Sequence, residues 1–290
     1  MTILYSMISD NDKISWFLFL LYQILLKQQL ILGIIIIIII LIGRLKMNKT
    51  VLITGASRGI GKAIAFAFAQ KNYNIVINYN HSEPEAISVL KEFEKINVNA
   101  IAVKADVSNR NQVDVMVRKA IDNFGNIDIL VNNAGIAQQI LFNDISESMW
   151  DNMFNINVKG VFNCTQAVLP YMIHNKSGKI INISSMWGIS GASCEVHYSA
   201  SKAAVIGFTK ALAKEVGLSG INVNCIAPGV IKTDMNNNCL KETLIDLKNE
   251  TPLNRIGTPE NVADAAVFLA SEAADFITGQ VLSVDGGLII

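Results

Sequence analysis

The 290-residue sequence has few cysteines, few histidines and no excess of either charge. Its four cysteines form no Cys-x-x-Cys pair and its three histidines are scattered, which argues against a disulfide framework and a zinc site. Lysine plus arginine equals aspartate plus glutamate at 24 each, so no basic surface suited to a nucleic-acid partner is expected. Hydrophobic residues make up 51% of the chain, which is ample for one sizeable core.

Beyond the first 46 residues, short apolar runs alternate with helical patterns. Strands are predicted at 51–54, 74–78, 100–104, 127–131, 179–183, 221–225 and 280–284. Helices are predicted near 60–71, 84–96, 109–124, 147–175, 197–216 and 260–270. The strands are almost continuously apolar, as strands buried on both faces are. The alternation predicts a single Rossmann-type, doubly wound α/β domain over residues 47–290, with a seven-stranded parallel sheet and helices on both faces.

A glycine-rich turn follows the first predicted strand. Thr54-Gly-Ala-Ser-Arg-Gly-Ile-Gly61 separates that strand from a helical pattern, with glycines at Gly55, Gly59 and Gly61. Glycines allow a pyrophosphate to approach the backbone, and the free N–H groups at a helix start attract an anion. The spacing differs from the usual G-x-G-x-x-G fingerprint. A tight turn without a ligand is the alternative, but three glycines there would be costly without a use.

A second group of residues indicates proton-transfer chemistry. Tyr198 and Lys202 are four residues apart in a predicted helix, so their side chains share one face. A cation beside a phenol favours the phenolate, and the pKa of Tyr198 is therefore expected below its usual value of about 10. Ser185 can supply a second hydroxyl to the same substrate oxygen. The Tyr-x-x-x-Lys pair is a weak signal by itself and depends on the glycine turn for support.

Together these motifs resemble the short-chain dehydrogenase/reductase family, from about Met47 to the C-terminus. The resemblance rests on the glycine turn, Asn132-Asn-Ala-Gly135, Asn157, Ser185, Tyr198, Lys202 and Pro228-Gly229, in the order and spacing of that family. Among its members the sequence looks most like bacterial 3-oxoacyl-[acyl-carrier-protein] reductases. The resemblance implies NADPH-dependent reduction of a ketone to a secondary alcohol in fatty acid synthesis, in the cytoplasm, by a homotetramer formed through the helices at about 159–175 and 197–216.

The resemblance also implies roles for individual residues. Tyr198 would donate the proton, Ser185 would position the carbonyl, Lys202 would lower the pKa of Tyr198 and contact the nicotinamide ribose, and Asn157 would hold a water. Ser184 is the rival of Ser185, which is preferred because it lies thirteen residues before Tyr198. For Asn157, a helix kink or cap is the alternative role.

The same comparison implies the cofactor site. Its expected residues are Gly55, Ser57, Arg58, Gly59, Ile60, Gly61, Asn78, Asp106, Val107, Asn133, Ala134, Gly135, Tyr198, Lys202, Pro228, Gly229, Val230, Ile231 and Thr233. No carboxylate follows the second strand to accept a bond from the 2′-hydroxyl of NAD, since Asn78 lies there and Glu83 is the first acidic residue. Arg58 can pair with a 2′-phosphate, so NADP(H) is expected; a solvated loop arginine is the alternative.

The substrate is less sharply indicated. The loop between Ser185 and Tyr198 is expected to line the substrate side, and its residues Trp187, Cys194 and Glu195 are unusual for a simple acyl-chain reductase. The segment also resembles a subgroup thought to reduce an aminopentanone modification on elongation factor P, and Glu195 would suit an amine. Acyl carrier protein is the preferred partner, with that carrier second. A non-catalytic or membrane-tethered nucleotide-binding protein is a third alternative. Residues 236–250 are polar and predict either a lid over the substrate or a solvated surface helix.

Residues 1–46 form a hydrophobic extension of different composition. Residues 16–43 are long enough to span a membrane but carry Lys27 and three glutamines, and no signal-peptide cleavage site follows. A membrane anchor is one interpretation. The other is that translation starts at Met47, because the residues before it can be encoded by a purine-rich ribosome-binding sequence and an isoleucine tract is typical of AT-rich untranslated DNA. The second interpretation is preferred.

Overall fold

A computed structural model describes residues 10–45, 48–233 and 241–289. The chain divides into two compact units between Asn48 and Lys49, close to the expected boundary, although Met47 itself lies outside the described residues. The N-terminal unit contains helix α1, Asp10–Leu45. Within it, Trp16–Ile34 is a 19-residue stretch of mean hydropathy 1.6 whose side chains are exposed. Its length and composition fit a membrane span, and a signal sequence near an N-terminus has the same properties.

The second unit contains a seven-stranded, fully parallel sheet in the order β3-β2-β1-β4-β5-β6-β7. The strands are β1 Thr50–Ile53, β2 Asn74–Tyr79, β3 Ala100–Lys104, β4 Ile129–Asn132, β5 Gly178–Ile183, β6 Ile221–Pro228 and β7 Val281–Val284. The predicted α/β fold class and all seven strands are confirmed. The order reverses direction between β1 and β4, which creates the crevice where doubly wound sheets bind ligands.

Helices cover both faces of the sheet. They are α2 Gly59–Ala69, α3 Glu83–Lys95, α4 Arg110–Phe124, α5 Glu147–Phe154, α6 Gly160–Asn175, α7 Trp187–Ser190, α8 Val196–Val216, α9 Lys241–Glu250 and α10 Pro259–Ala270. Successive residues of a strand point to opposite faces. In β1, Val51 and Ile53 therefore join a core with α2, α3 and α10, while Leu52 joins a second core with α4, α6 and α8.

The prediction of one continuous helix over 147–175 is wrong. The structure divides it into α5, a π-helical stretch Asn155–Lys159, and α6. The wider π turn contains Asn157, which is 1% exposed and bonds in both directions with the backbone of Ile136. Helical periodicity in the sequence does not reveal such a turn, because it depends on a partner twenty-one residues away. π-helical turns of this kind are frequent at functional sites.

The polar region 236–250 is helical where it is described. Helix α9 covers Lys241–Glu250, while the rest of the predicted lid, residues 236–240, lies outside the described residues. Thr251 follows α9, is 4% exposed, and donates from its hydroxyl to the Leu247 carbonyl at 2.7 Å. The end of this region is therefore packed, and the choice between a lid and a surface helix stays a prediction.

Candidate active site

The glycine turn lies at the carboxyl edge of the sheet, between β1 and helix α2. Gly55 and Gly59 have φ values of +63° and +55°, which residues with a Cβ rarely adopt. A Cβ on Gly61 would collide with the Gly55 carbonyl oxygen and lie 2.6 Å from the Asn133 amide. Helix α2 begins without an acidic residue in its first turn and without a side-chain cap, so no carboxylate there competes with an anionic ligand for its N–H groups. This geometry fits a pyrophosphate.

Three polar side chains hold the glycine turn in place. The Asn133 amide donates to the carbonyls of Thr54 at 2.9 Å and Gly55 at 3.1 Å. The Thr54 hydroxyl accepts bonds from the backbone N–H groups of Asn133 and Ala134, both at 2.9 Å. Buried Asn78 accepts from the Gly55 N–H at 3.2 Å and donates to the Ala105 carbonyl at 2.9 Å. Asn78 and Asn133 are therefore brought to the turn as its supports, and Thr54 is a support absent from the set predicted from sequence.

Arg58 is the exposed residue of the turn. It directly precedes α2 in extended conformation, and no side-chain hydrogen bond or ion pair involves its guanidinium within the described ranges. Glu83, the nearest acidic residue along the chain after β2, lies close enough to Tyr79 to raise the pKa of its phenol, which burial raises more. A cleft of about 510 Å³ opens beside the turn, between α2 and α10, with Gly59, Lys62, Lys232 and Thr233 on its walls. Among the described residues, Arg58 is thus a cation of the glycine turn without an ion pair, and the first acidic residue after β2 lies near Tyr79.

Asp106 and Val107 follow β3 in a tightly held turn. One carboxylate oxygen of Asp106 accepts from the Ser108 N–H at 2.9 Å and from the Ser108 hydroxyl at 2.7 Å. The Val107 carbonyl accepts from the Asn163 amide at 2.9 Å. A Cβ on Gly160 would lie 2.7 Å from Val107 Cγ2. Sequence reasoning missed Asn163 and Gly160, since only the packing of α6 against this turn gives them a role.

The segment after β6 completes the crevice. Gly229 donates its N–H to the Val284 carbonyl at 3.0 Å, and a Cβ on it would lie 2.6 Å from Asp285 Cβ. Ile231 is 4% exposed and pairs with Gly257. Thr233 reaches the glycine turn, where a Cβ on Gly59 would lie 3.6 Å from its Cγ2. The residues predicted after β6, Pro228-Gly229-Val230-Ile231 and Thr233, therefore lead from the sheet edge to the phosphate turn, while Ser57 and Ile60 lie within that turn.

Ser185 and Tyr198 meet at the start of α8. The Ser185 hydroxyl lies close enough to Tyr198 to lower the pKa of its phenol, and it accepts the Trp187 N–H at 3.2 Å. The rival Ser184 is 3% exposed and donates its hydroxyl to the Lys202 carbonyl at 2.8 Å. Ser184 is thus committed to the helix backbone, and Ser185 is the serine placed beside the phenol.

The expected effect of Lys202 on Tyr198 is wrong for this structure. Burial raises the pKa of Tyr198 to about 12, against a smaller lowering by the Ser185 bond, and the Glu195 carboxylate raises it further. Lys202 lies over the ring, with Nζ 5.7 Å from the centroid, and donates to the Ile183 carbonyl at 3.0 Å. Burial lowers the pKa of Lys202 to about 8. At neutral pH the phenol therefore keeps its proton, which suits a proton donor.

Gly135 brings Asn157 and Lys202 together. A Cβ at Gly135 would lie 3.2 Å from Asn157 Oδ1 and 3.3 Å from Lys202 Nζ. The Asn157 amide also donates to the Ser201 hydroxyl at 3.0 Å, one residue before Lys202. Asn157 therefore lies in the π turn and also contacts helix α8. The bound water expected from the resemblance stays a prediction.

The expected substrate loop borders Tyr198. Trp187 begins the short helix α7, and Cys194 has a φ of +61°. The Cys194 carbonyl accepts the Ile140 N–H at 2.7 Å, while Gln139 Nε2 donates to Glu195 Oε1 at 3.2 Å. These two bonds therefore join the loop after Gly135 to the loop before Tyr198.

The chain matches the family model described as enoyl-(acyl carrier protein) reductase over residues 55–289. It is 42% identical over 242 residues to a 3-oxoacyl-[acyl-carrier-protein] reductase of Staphylococcus epidermidis, covering 83% of this chain and 99% of the relative. A relative of the same name from Synechocystis is 45% identical over 243 residues, covering 83% and 97%. One from Thermotoga maritima is 43% identical over 243 residues, covering 84% and 98%.

Proposed function

The chain belongs to the short-chain dehydrogenase/reductase family, and we propose that it reduces a 3-oxoacyl group on acyl carrier protein to the 3-hydroxyacyl product, using NADPH. One observation carries the proposal: Ser185, Tyr198 and Lys202 converge beside a glycine turn suited to a dinucleotide. The relatives' names give the ketone and its carrier. The complete Ser/Tyr/Lys set argues against a non-catalytic protein on this fold.

Each group of the site has one task in the reaction. A reduced nicotinamide held along the crevice would supply the hydride to the carbonyl carbon. The Ser185 hydroxyl holds the carbonyl oxygen, and Tyr198 gives that oxygen its proton, so that one hydride and one proton convert the ketone to an alcohol. Lys202, with a pKa of about 8, is mostly cationic at neutral pH and offsets the negative charge left on the phenol. Solvent then returns the proton to Tyr198.

NADPH is proposed over NADH from the charges at the end of β2. Arg58 is exposed. The Asn78 side chain is hydrogen-bonded to the Gly55 N–H and the Ala105 carbonyl, and Glu83 lies near the Tyr79 phenol. A guanidinium pairs well with a 2′-phosphate, and an adenosine 2′-hydroxyl would find no carboxylate there. Asp106 and Val107 would hold the adenine, and the residues from Pro228 to Thr233 the nicotinamide half.

The proposal includes the cytoplasm and a homotetramer. Cys164, Cys194 and Cys225 are free thiols, as expected in a reducing compartment. Helix α6 exposes Phe162 and Ile173, 45% and 44% exposed, which supports burial of this face against other copies. Residues 47–290 would form the reductase domain, and the relatives' matched lengths agree with that span.

The deciding experiment measures NADPH oxidation by protein beginning at Met47, with acetoacetyl-CoA or acetoacetyl-carrier as substrate. We expect turnover with NADPH and much slower turnover with NADH. Crotonyl-CoA is the matched control, since it carries a carbon–carbon double bond in place of the ketone and tests the activity named by the family model. Turnover of crotonyl-CoA alone would overturn the proposal. Inactivity on both thioesters with tight NADPH binding would favour the modified elongation factor P.

A further inference from the structure

Glu195 occupies a fixed position beside the reacting groups. It directly precedes α8 and lies three residues before Tyr198, and its carbonyl accepts the Ser199 N–H at 2.8 Å, which ties it to the first turn of that helix. Gln139 Nε2 donates to the Glu195 carboxylate at 3.2 Å. The Ile140 N–H donates to the carbonyl of Cys194, the preceding residue, at 2.7 Å. The side chain is partly buried. Glu195 is therefore held at the start of the helix that carries Tyr198.

The Glu195 carboxylate lacks a cationic partner among the residues that the structure describes. Within the described parts of the chain, no lysine, arginine or histidine forms an ion pair with it. Gln139 and the neighbouring Gln138 are neutral amides. His197 is 0% exposed, lies 3.4 Å from Gln138 through Nε2, and is kept uncharged because burial lowers its pKa. The nearest catalytic cation, Lys202, donates to the Ile183 carbonyl.

Burial without a neighbouring cation is unfavourable for a carboxylate, and it affects the pKa of both Glu195 and Tyr198. Burial raises the pKa of Glu195 itself. The charge of Glu195 in turn raises the pKa of Tyr198, so the carboxylate and the catalytic hydroxyl interact electrostatically. A substrate whose carbonyl oxygen lies at Tyr198 therefore places its neighbouring groups within reach of the same negative charge.

We propose that Glu195 is a specificity-determining residue that selects substrates by the charge they carry beside the reacting ketone. It disfavours an anion there, tolerates a neutral thioester or ester, and favours a cation. The proposal rests on the proposed ketone reductase activity and adds to it a rule of discrimination: a thioester-linked 3-oxoacyl group is accepted, and the free 3-oxo acid is rejected. Near a protein surface, one unit charge within several ångströms of a charged ligand group changes affinity by about tenfold.

The test compares three small ketones of similar size: acetoacetate, ethyl acetoacetate and 4-(dimethylamino)-2-butanone, which are anionic, neutral and cationic. Each is measured as an inhibitor of acetoacetyl-CoA reduction by the wild type, by Glu195→Gln and by a control, Glu94→Gln. Glutamine keeps the size of Glu195 and its contact with Gln139. Glu94 is an exposed residue of α3, so the control removes the same charge elsewhere.

We expect Glu195→Gln to lower the inhibition constant of acetoacetate and to raise that of the amino ketone, by about tenfold each. The inhibition constant of ethyl acetoacetate should stay unchanged within about twofold. Glu94→Gln should match the wild type for all three. Equal inhibition constants in wild type and Glu195→Gln, with acetoacetyl-CoA still reduced, would overturn the role of Glu195 alone. Absence of acetoacetyl-CoA reduction would overturn the proposed function, and dissociation constants of the three ketones with the NADPH-bound protein would then decide the charge rule.

Discussion

The Ser184 hydroxyl donates to the Lys202 carbonyl at 2.8 Å and joins the end of β5 to the catalytic helix. Gly188 lies in the same contact, where a Cβ would be 2.8 Å from the Ser184 hydroxyl oxygen and 2.9 Å from Lys202 Cβ. Two adjacent serines therefore have separate positions: Ser184 is bonded to the helix backbone, and Ser185 lies beside Tyr198. This division leads to the first prediction.

Replacing the two serines in turn should separate stability from catalysis. Ser184→Ala should lower the free energy of unfolding by about 1 kcal/mol, because it removes a buried hydrogen bond to the Lys202 carbonyl, which lies inside α8 and keeps its helical N–H partner. Ser185→Ala should leave unfolding nearly unchanged and lower kcat by about a hundredfold or more, because it removes a hydrogen bond to the reacting oxygen. Denaturant unfolding and steady-state kinetics on both variants check this. The reverse pattern would assign the catalytic task to Ser184.

Tyr198→Phe should lose nearly all turnover while still binding NADPH. The ring keeps its packing against Lys202, but the proton donor is gone, and proton transfer by a positioned group contributes about a hundredfold to ten-thousandfold. Stopped-flow turnover and NADPH fluorescence measure the two properties. Tyr73→Phe is the control, since Tyr73 packs on Phe68 at the far end of the sheet. Turnover near wild type in Tyr198→Phe would refute the donor role.

The rate of ketone reduction should fall as pH rises through about 8. Below that pH Lys202 is protonated and offsets the charge developing on Tyr198, and above it the cation is lost. Tyr198 has a pKa of about 12 and keeps its proton throughout the measured range, so it adds no second step. A profile of kcat/KM between pH 6 and 10, with NADPH saturating, checks this. A profile that is level to pH 10 would contradict the role of Lys202.

Arg58→Ser should raise the KM for NADPH by about tenfold or more and change the KM for NADH by less than about twofold, since only the 2′-phosphate needs a charged partner. Lys62→Ser is the matched control. Lys62 lines the neighbouring cleft but already pairs with Glu92 at 3.0 Å. Equal effects of Arg58→Ser on the two cofactors would show that Arg58 is a solvated loop residue.

The mass of the protein made in its own cells should correspond to a chain that starts at Met47. The hypothesis comes from the composition of residues 1–46 and the possible codons before Met47. Intact-protein mass spectrometry of both membrane and soluble fractions is the measurement. A species in either fraction that retains residues 16–43 would contradict it and favour the membrane interpretation.

The sequence is enough to predict the sheet, because the signals that mark its strands are local. Runs such as Val51–Ile53 are apolar on both faces, and buried parallel strands have that property. The glycine turn was equally accessible, since a strand, three glycines and a helix follow one another directly. The set of Ser185, Tyr198 and Lys202 is predicted from the resemblance to the family, because Tyr-x-x-x-Lys by itself is a weak signal.

Other features depend on contacts between distant segments. Asn78 and Asn133 support the glycine turn through bonds that span more than twenty residues, and the π turn at Asn157 exists where α5 and α6 meet Ile136. The direction of the Tyr198 pKa shift was wrong because helix spacing shows a neighbouring cation but not burial. Burial belongs to the packed molecule, and at Tyr198 it outweighs the nearby charge. The sequence by itself determined which residues could form the site, and the tertiary structure decided their protonation and their partners.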